Sequence, residues 1–200
     1  PRTVPIDLEL RAGESLAVLC DAAVDGETLA GVLSGRVPPT RGEVAIDGVP
    51  LDPDEPLVAV VAPGEPFIAG SIEHNVGALS DEAPERATLM AVSEACGLDD
   101  VAAALGEAVI AADGAPLEPV HRLLLLAARV IPSHYRIVVV VDPMPWVNAV
   151  VGQRWRSAVV RASVGRTAVW ITQDRELALR ADRVVQFREN ALRTIDLPSS

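Results

Sequence analysis

Asp21, Asp25 and Glu27 cluster directly after the apolar run 16–20. Three carboxylates so close can gather a divalent cation. Such carboxylates are more commonly solvated, or cap a helix start by accepting its free N–H groups. Asp142 ends the Val-rich run 137–141 and admits two readings. It is a potential cation ligand, or a strand-end carboxylate satisfied by neighbouring backbone N–H groups. His74, His121 and His134 fall at no metal-ligand spacing, so no metal is expected. His121 reads as a polar residue at a helix N-terminus, whereas His74 and His134 show no sequence partner. Cys20 precedes a helix start, which lowers a thiol pKa, but the adjacent carboxylates oppose that; a buried strand-end cysteine is the alternative. Two cysteines make no disulfide framework and suit a reducing compartment. All 17 basic residues are arginine, so no lysine can form a Schiff base or meet a phosphate.

The remaining composition bounds what these residues can serve. A net charge of −11 argues against nucleic-acid binding and against an anionic membrane surface. Half the residues are apolar but only 3% are aromatic, so the core must be largely aliphatic. The apolar runs, the Val-rich 137–141 among them, are far too short to span a bilayer, so no membrane insertion by this chain is expected. Nothing at Pro1 resembles a signal peptide, and the abrupt start suits a piece of a longer protein.

The elements that must position these residues alternate between strand and helix. Residues 4–10 alternate as a strand, and Ala12-Gly13-Glu14 makes a turn. The run 16–20 leads into a polar loop at 21–26, then a helical pattern at 28–33 stopped by Gly35 and Pro38-Pro39. Residues 42–46 read as a strand entering an Asp47-Gly48 hairpin turn, and 57–61 as a buried strand broken by Pro63-Gly64. Helical spacing marks 84–112, 121–131, 150–162 and 176–180. Strands are expected at 137–141, 167–172, 184–187 and 192–195. This alternation predicts a largely parallel α/β core with an inserted helical region.

The order of elements and their punctuation resembles the nucleotide-binding domain of ABC transporters over almost the whole chain. AGESLAVL at 12–19 is similar to the strand before that family's P-loop. PPTRGEVAIDGVPL at 38–51 is the most specific retained segment. EPFIAGSIEHNV at 65–76 resembles the stretch after the Q-loop in exporter-type members. IVVVVDPMP at 137–145 sits where Walker B belongs, and ADRVVQF at 181–187 resembles the strand after the switch histidine. The resemblance implies a P-loop NTPase-like core with an antiparallel β subdomain and an inserted helical subdomain. Its expected divisions are 1–81, 82–132 and 133–200.

The residues at the family's chemical positions depart from its pattern. A P-loop needs glycines to wrap phosphates with backbone N–H groups, a lysine, and a hydroxyl on Mg²⁺. Cys20, Ala23 and Asp25 stand at the glycine positions, Gly26 at the lysine and Glu27 at the hydroxyl; Thr28 follows. The carboxylates there repel a polyanion, which implies a self-capped helix start in place of a phosphate site. Asp142 holds the Walker B position, but Pro143 replaces the catalytic glutamate and Gln173 the switch histidine. Gly64 falls at the Q-loop glutamine and Ala149 at the D-loop aspartate. The signature motif aligns with Leu117, Glu118, Pro119, Val120 and His121, and the following Arg122 and Ala128-Arg129 fit the family's helix.

Three functions follow from the resemblance. The leading one is a non-catalytic pseudo-ATPase, a structural or regulatory partner in an ABC transport system, since both composite ATP sites of a head-to-tail pair would be impaired. The second is an active or weakly active ATPase of an exporter; the third is a module whose old cleft serves another ligand or protein. No cofactor is expected, although ATP and Mg²⁺ serve the family. The implied partners are a transporter membrane domain, a second ABC-type domain or both, at the cytoplasmic inner face of the plasma membrane. The transported substrate is not encoded here.

Overall fold

A computed structural model describes residues 6–20, 23–52, 54, 57–106, 108–142, 149–188 and 191–194. They fall into two compact units. The first comprises Pro1–Val60, Arg136–Pro145 and Gly165–Ser200; the second comprises Val61–Tyr135 and Trp146–Val164.

The first unit is built on β-branched runs. Strands β1 (Ser15–Cys20), β5 (Ile137–Val141) and β6 (Thr167–Thr172) are buried along nearly their whole length. Such continuous burial suits parallel strands covered on both faces. The six-stranded sheet also takes in β4 (Val58–Val61), β7 (Arg183–Arg188) and β8 (Ala191–Thr194), in the order β4-β5-β6-β1-β7-β8. The pairs β5/β6, β6/β1 and β1/β7 are parallel, and β7/β8 is an antiparallel hairpin. The sheet is mostly parallel, consistent with a P-loop NTPase-like core. Helix α1 (Ala23–Leu33) packs on β1, β5 and β6, and α7 (Arg175–Ala178) on β1 and β6.

Two polar ties fix where β1 begins. The Ser15 N–H and hydroxyl both donate to Asp182 Oδ2, at 2.8 and 2.6 Å. Those bonds hold the Asp182 carboxyl below its ordinary pKa. Gly13, at φ 80°, turns the chain and donates its N–H to Thr167 Oγ1 at 2.9 Å.

Strands β2 (Ala45–Ile46) and β3 (Val49–Pro50) form a separate two-stranded hairpin. Asp47 and Gly48 both have positive φ (51° and 78°), the backbone of a type I′ turn, as Asp-Gly predicts. The strand expected at 42–46 is therefore shorter. No ladder forms over 6–10, where an alternating strand is expected; Ile6 is 41% exposed, and alternation without a pairing edge makes no strand. The helix expected at 176–180 is only the short α7.

The second unit is helical. It contains α2 (Ile72–Val76), a 3₁₀ turn at Gly77–Leu79, α3 (Arg86–Ala95), α4 (Asp99–Leu105), α5 (Pro119–Val130) and α6 (Ala149–Ser163). The helical spacing at 84–112 resolves into α3 and α4, separated at Gly97 with φ 69°. Helix α5 is its centre: 123–128 and Val130 are all buried, and α2, α3 and α6 pack on it. Asn75, fully buried, accepts from Ile68 N (3.0 Å) and donates to Ile68 O (2.8 Å) and Ser71 O (3.1 Å). One amide thereby closes the loop of the retained 65–76 segment.

Candidate functional site

The candidate site in the first unit lies at the ends of β1, β5 and β6. Cys20 is the last residue of β1 and is buried. Helix α1 begins at Ala23, so only Asp21 and Ala22 separate strand from helix. The polar loop expected at 21–26 is thus corrected: from Ala23 onward it is helix. None of 20–25 is glycine, so the backbone has no residue suited to a wrapped loop and enters the helix early. Asp21, Pro143 and the side chains of Ala23 and Asp25 lie outside the described residues. Glu27 and Thr28 are exposed on the following turn.

Gly26, expected at the lysine position, is buried and faces the sheet. A Cβ there would stand 3.0 Å from Ile171 Cγ2 and 3.7 Å from Val141 Cγ1. The one glycine of this stretch therefore serves close helix-to-sheet packing.

Asp142 follows β5, with its N–H donating to Ile171 O at 2.9 Å. It is 6% exposed, and its Oδ2 accepts from Thr172 Oγ1 at 2.5 Å. The same hydroxyl accepts from Asp174 N at 2.8 Å, and Asp174 Oδ1 accepts from Glu176 N at 2.8 Å, starting α7. Gln173, between these residues, is exposed. Cys20, Gly26, Val141, Asp142, Ile171, Thr172 and Gln173 line a small cavity of about 10 Å³, partly open to solvent. That is space for about one water. Thr172 and Ile171 were not singled out by motif reasoning, because their importance depends on a strand register that sequence spacing does not give.

The signature-position residues lie in the second unit, at the start of α5. Leu117 is buried, and Glu118 is an exposed N-cap whose side chain makes no capping bond. Pro119 is the first helical residue and removes one N–H from that terminus; Val120 and His121 are half-buried. Arg122 Nε donates to Leu117 O at 2.9 Å, and Arg129 Nη1 donates to Pro66 O at 2.7 Å. Burial lowers the Arg129 pKa, partly opposed by Glu65. Gly64, at φ 88°, is exposed in a turn closed by Glu65 N to Ala62 O, the Pro-Gly backbone of a type II turn. Ala149 opens α6 and is exposed.

His134, expected to lack a partner, has one: its Nδ1 lies 2.9 Å from Asp81 Oδ1, and its ring stacks on Tyr135 at 4.3 Å between centroids. The sequence missed this because 81 and 134 meet only through the tertiary fold. Among the described residues, no group of His, Cys, Asp and Glu is arranged to hold a metal ion. No helix among them is long and apolar enough to cross a membrane.

No protein-family model matches the chain. It is 26% identical over 202 residues to the multidrug efflux ATP-binding/permease protein of Mycobacterium bovis, covering 96% of this chain and 17% of that protein. It is 28% identical over 185 residues to the ABC transporter ATP-binding protein RamB of Streptomyces coelicolor, covering 90% and 30%. Likeness to the ATP-dependent lipid A-core flippase of Burkholderia orbicola is 26% over 189 residues, covering 90% and 31%. The chain thus spans less than a third of each of these relatives. These distant homologues support an ABC-type domain, in keeping with the mostly parallel sheet.

Proposed function

We propose that this chain is a non-catalytic ABC-type domain, a structural or regulatory partner within an ABC transport system rather than its ATPase. The single observation that carries the reading is the start of α1: helix begins at Ala23, with no glycine from 20 to 25 and no lysine at 26. The residues present do not fit Mg²⁺·ATP. No lysine exists to meet the phosphates, Gly26 is spent on packing, and Asp142 is already held by Thr172. Pro119 at the head of α5 and Pro143 after Asp142 add two positions without the expected chemistry.

The partners that suit this reading are a transporter membrane domain and a second ABC-type domain, at the cytoplasmic face of a membrane. The names of the relatives support such a setting: two are called ATP-binding proteins of efflux or ABC transport, and one a flippase. Thermal unfolding with and without Mg²⁺·ATP tests the proposal. A ligand that binds only the folded chain stabilises it by RT ln(1 + [L]/Kd). The reading predicts no shift of Tm at millimolar nucleotide; a rise of several degrees, with phosphate release above background, would overturn it.

A further inference from the structure

We propose that Gly26 is an intramolecular latch, letting α1 dock on Ile171 and Val141 so that the chain closes its former phosphate seat from within. The inference rests on the non-catalytic reading and adds what holds the seat in one arrangement without a ligand.

Glycine is among the least favourable residues inside a helix, yet Gly26 sits within Ala23–Leu33. Packing supplies the physical reason. Its Cα faces the sheet so closely that even a methyl would come within 3.0 Å of Ile171 Cγ2. Ile171 has little freedom to retreat: it is 2% exposed, paired with Val18 on one side and Val141 on the other. A β-branched side chain is also stiff at χ1. The next residue along β6 is Thr172, whose hydroxyl holds Asp142 and the Asp174 N–H. Displacing Ile171 thus disturbs the strand end that fixes Asp142 and precedes Gln173. Helix, strand ends and polar residues are thereby tied in one arrangement.

Gly26→Leu tests the latch, because leucine favours helix and any loss must come from the contact. Amide hydrogen exchange over 23–33 and Tm are measured on the full chain, with and without Mg²⁺·ATP. The wild type is expected to show slow exchange in α1 without nucleotide, unchanged by its addition. Gly26→Leu should speed that exchange and lower Tm by roughly 3–10 °C. The milder Gly26→Ala should gain none of the stability that alanine ordinarily brings to a helix. Combining Gly26→Leu with Ile171→Ala should recover part of the loss, which a generally misfolded helix would not do. If Gly26→Leu leaves exchange and Tm unchanged, or Ile171→Ala only adds to the loss, the latch is wrong while the non-catalytic reading stands. If wild-type α1 exchanges fast and slows with Mg²⁺·ATP, both fall.

Discussion

The Thr172 hydroxyl donates to the Asp142 carboxylate at 2.5 Å, joining the ends of adjacent parallel strands inside the protein. Losing a hydrogen bond inside the protein leaves a buried acceptor short of a partner, which costs more than the bond itself contributes. Thr172→Val, close in shape, is expected to lower unfolding free energy by about 2–3 kcal/mol. Urea unfolding reads this directly. Unchanged midpoints would mean that Asp142 does not depend on Thr172.

On the non-catalytic reading, a lysine placed at position 26 should not confer nucleotide binding. Gly26→Lys places a Cβ against Ile171 and a charged stem in a packed contact, so it should destabilise by about 1–3 kcal/mol. Fluorescent-nucleotide titration of this variant should remain flat. Saturable micromolar binding would show that the seat needs only a lysine.

Asn75 closes its loop with three bonds, to the N–H and C=O of Ile68 and to Ser71 O. Asn75→Ala leaves the polar groups of Ile68 without these partners and should cost about 2–4 kcal/mol. A loss under about 0.5 kcal/mol in denaturant unfolding would show that water satisfies them instead.

Asp182 carries a pH signature. Its pKa is lowered in the folded chain, chiefly by the Ser15 hydroxyl and then by the Ser15 N–H. A depressed carboxyl contributes stability above its unfolded pKa and loses it as pH falls through the folded value. Asp182 is exposed, which keeps the effect small. Asp182→Ala should therefore cost about 1 kcal/mol at pH 7, with the gap to wild type narrowing below about pH 4. A gap constant from pH 7 to 2 would contradict the assignment.

Burial pushes the Cys96 thiol up to about 11, opposed only partly by Arg161. At pH 8 its thiolate fraction should be about 100-fold below that of an unfolded cysteine. In a Cys20→Ser background, a colorimetric thiol reagent should label Cys96 slowly in buffer and rapidly in urea. Equal rates would mean that the second unit opens freely around Cys96.

Much of the fold was legible because single side-chain patterns encode it. The β-branched runs of β5 and β6, the Asp47-Gly48 turn and the apolar body of α5 are each local signals with one good structural outcome. The segment 6–10 was not legible, since alternation identifies a strand only where an edge receives it. The start of α1 was hidden for another reason. A P-loop template suggests a loop through 26, whereas a stretch without glycine before Gly26 enters the helix at Ala23. The candidate site was legible as a set of positions, but not as a set of contacts. Thr172 holding Asp142, Gly26 against Ile171, and His134 beside Asp81 all depend on register or on residues distant in sequence.

The most direct test of the central claim is isothermal titration calorimetry of the purified chain with Mg²⁺·ATP. The account predicts no binding heat beyond dilution up to millimolar nucleotide, because helix begins at Ala23, the chain has no lysine and Gly26 packs against Ile171. A one-site isotherm with micromolar affinity, abolished by Asp142→Ala, would contradict it.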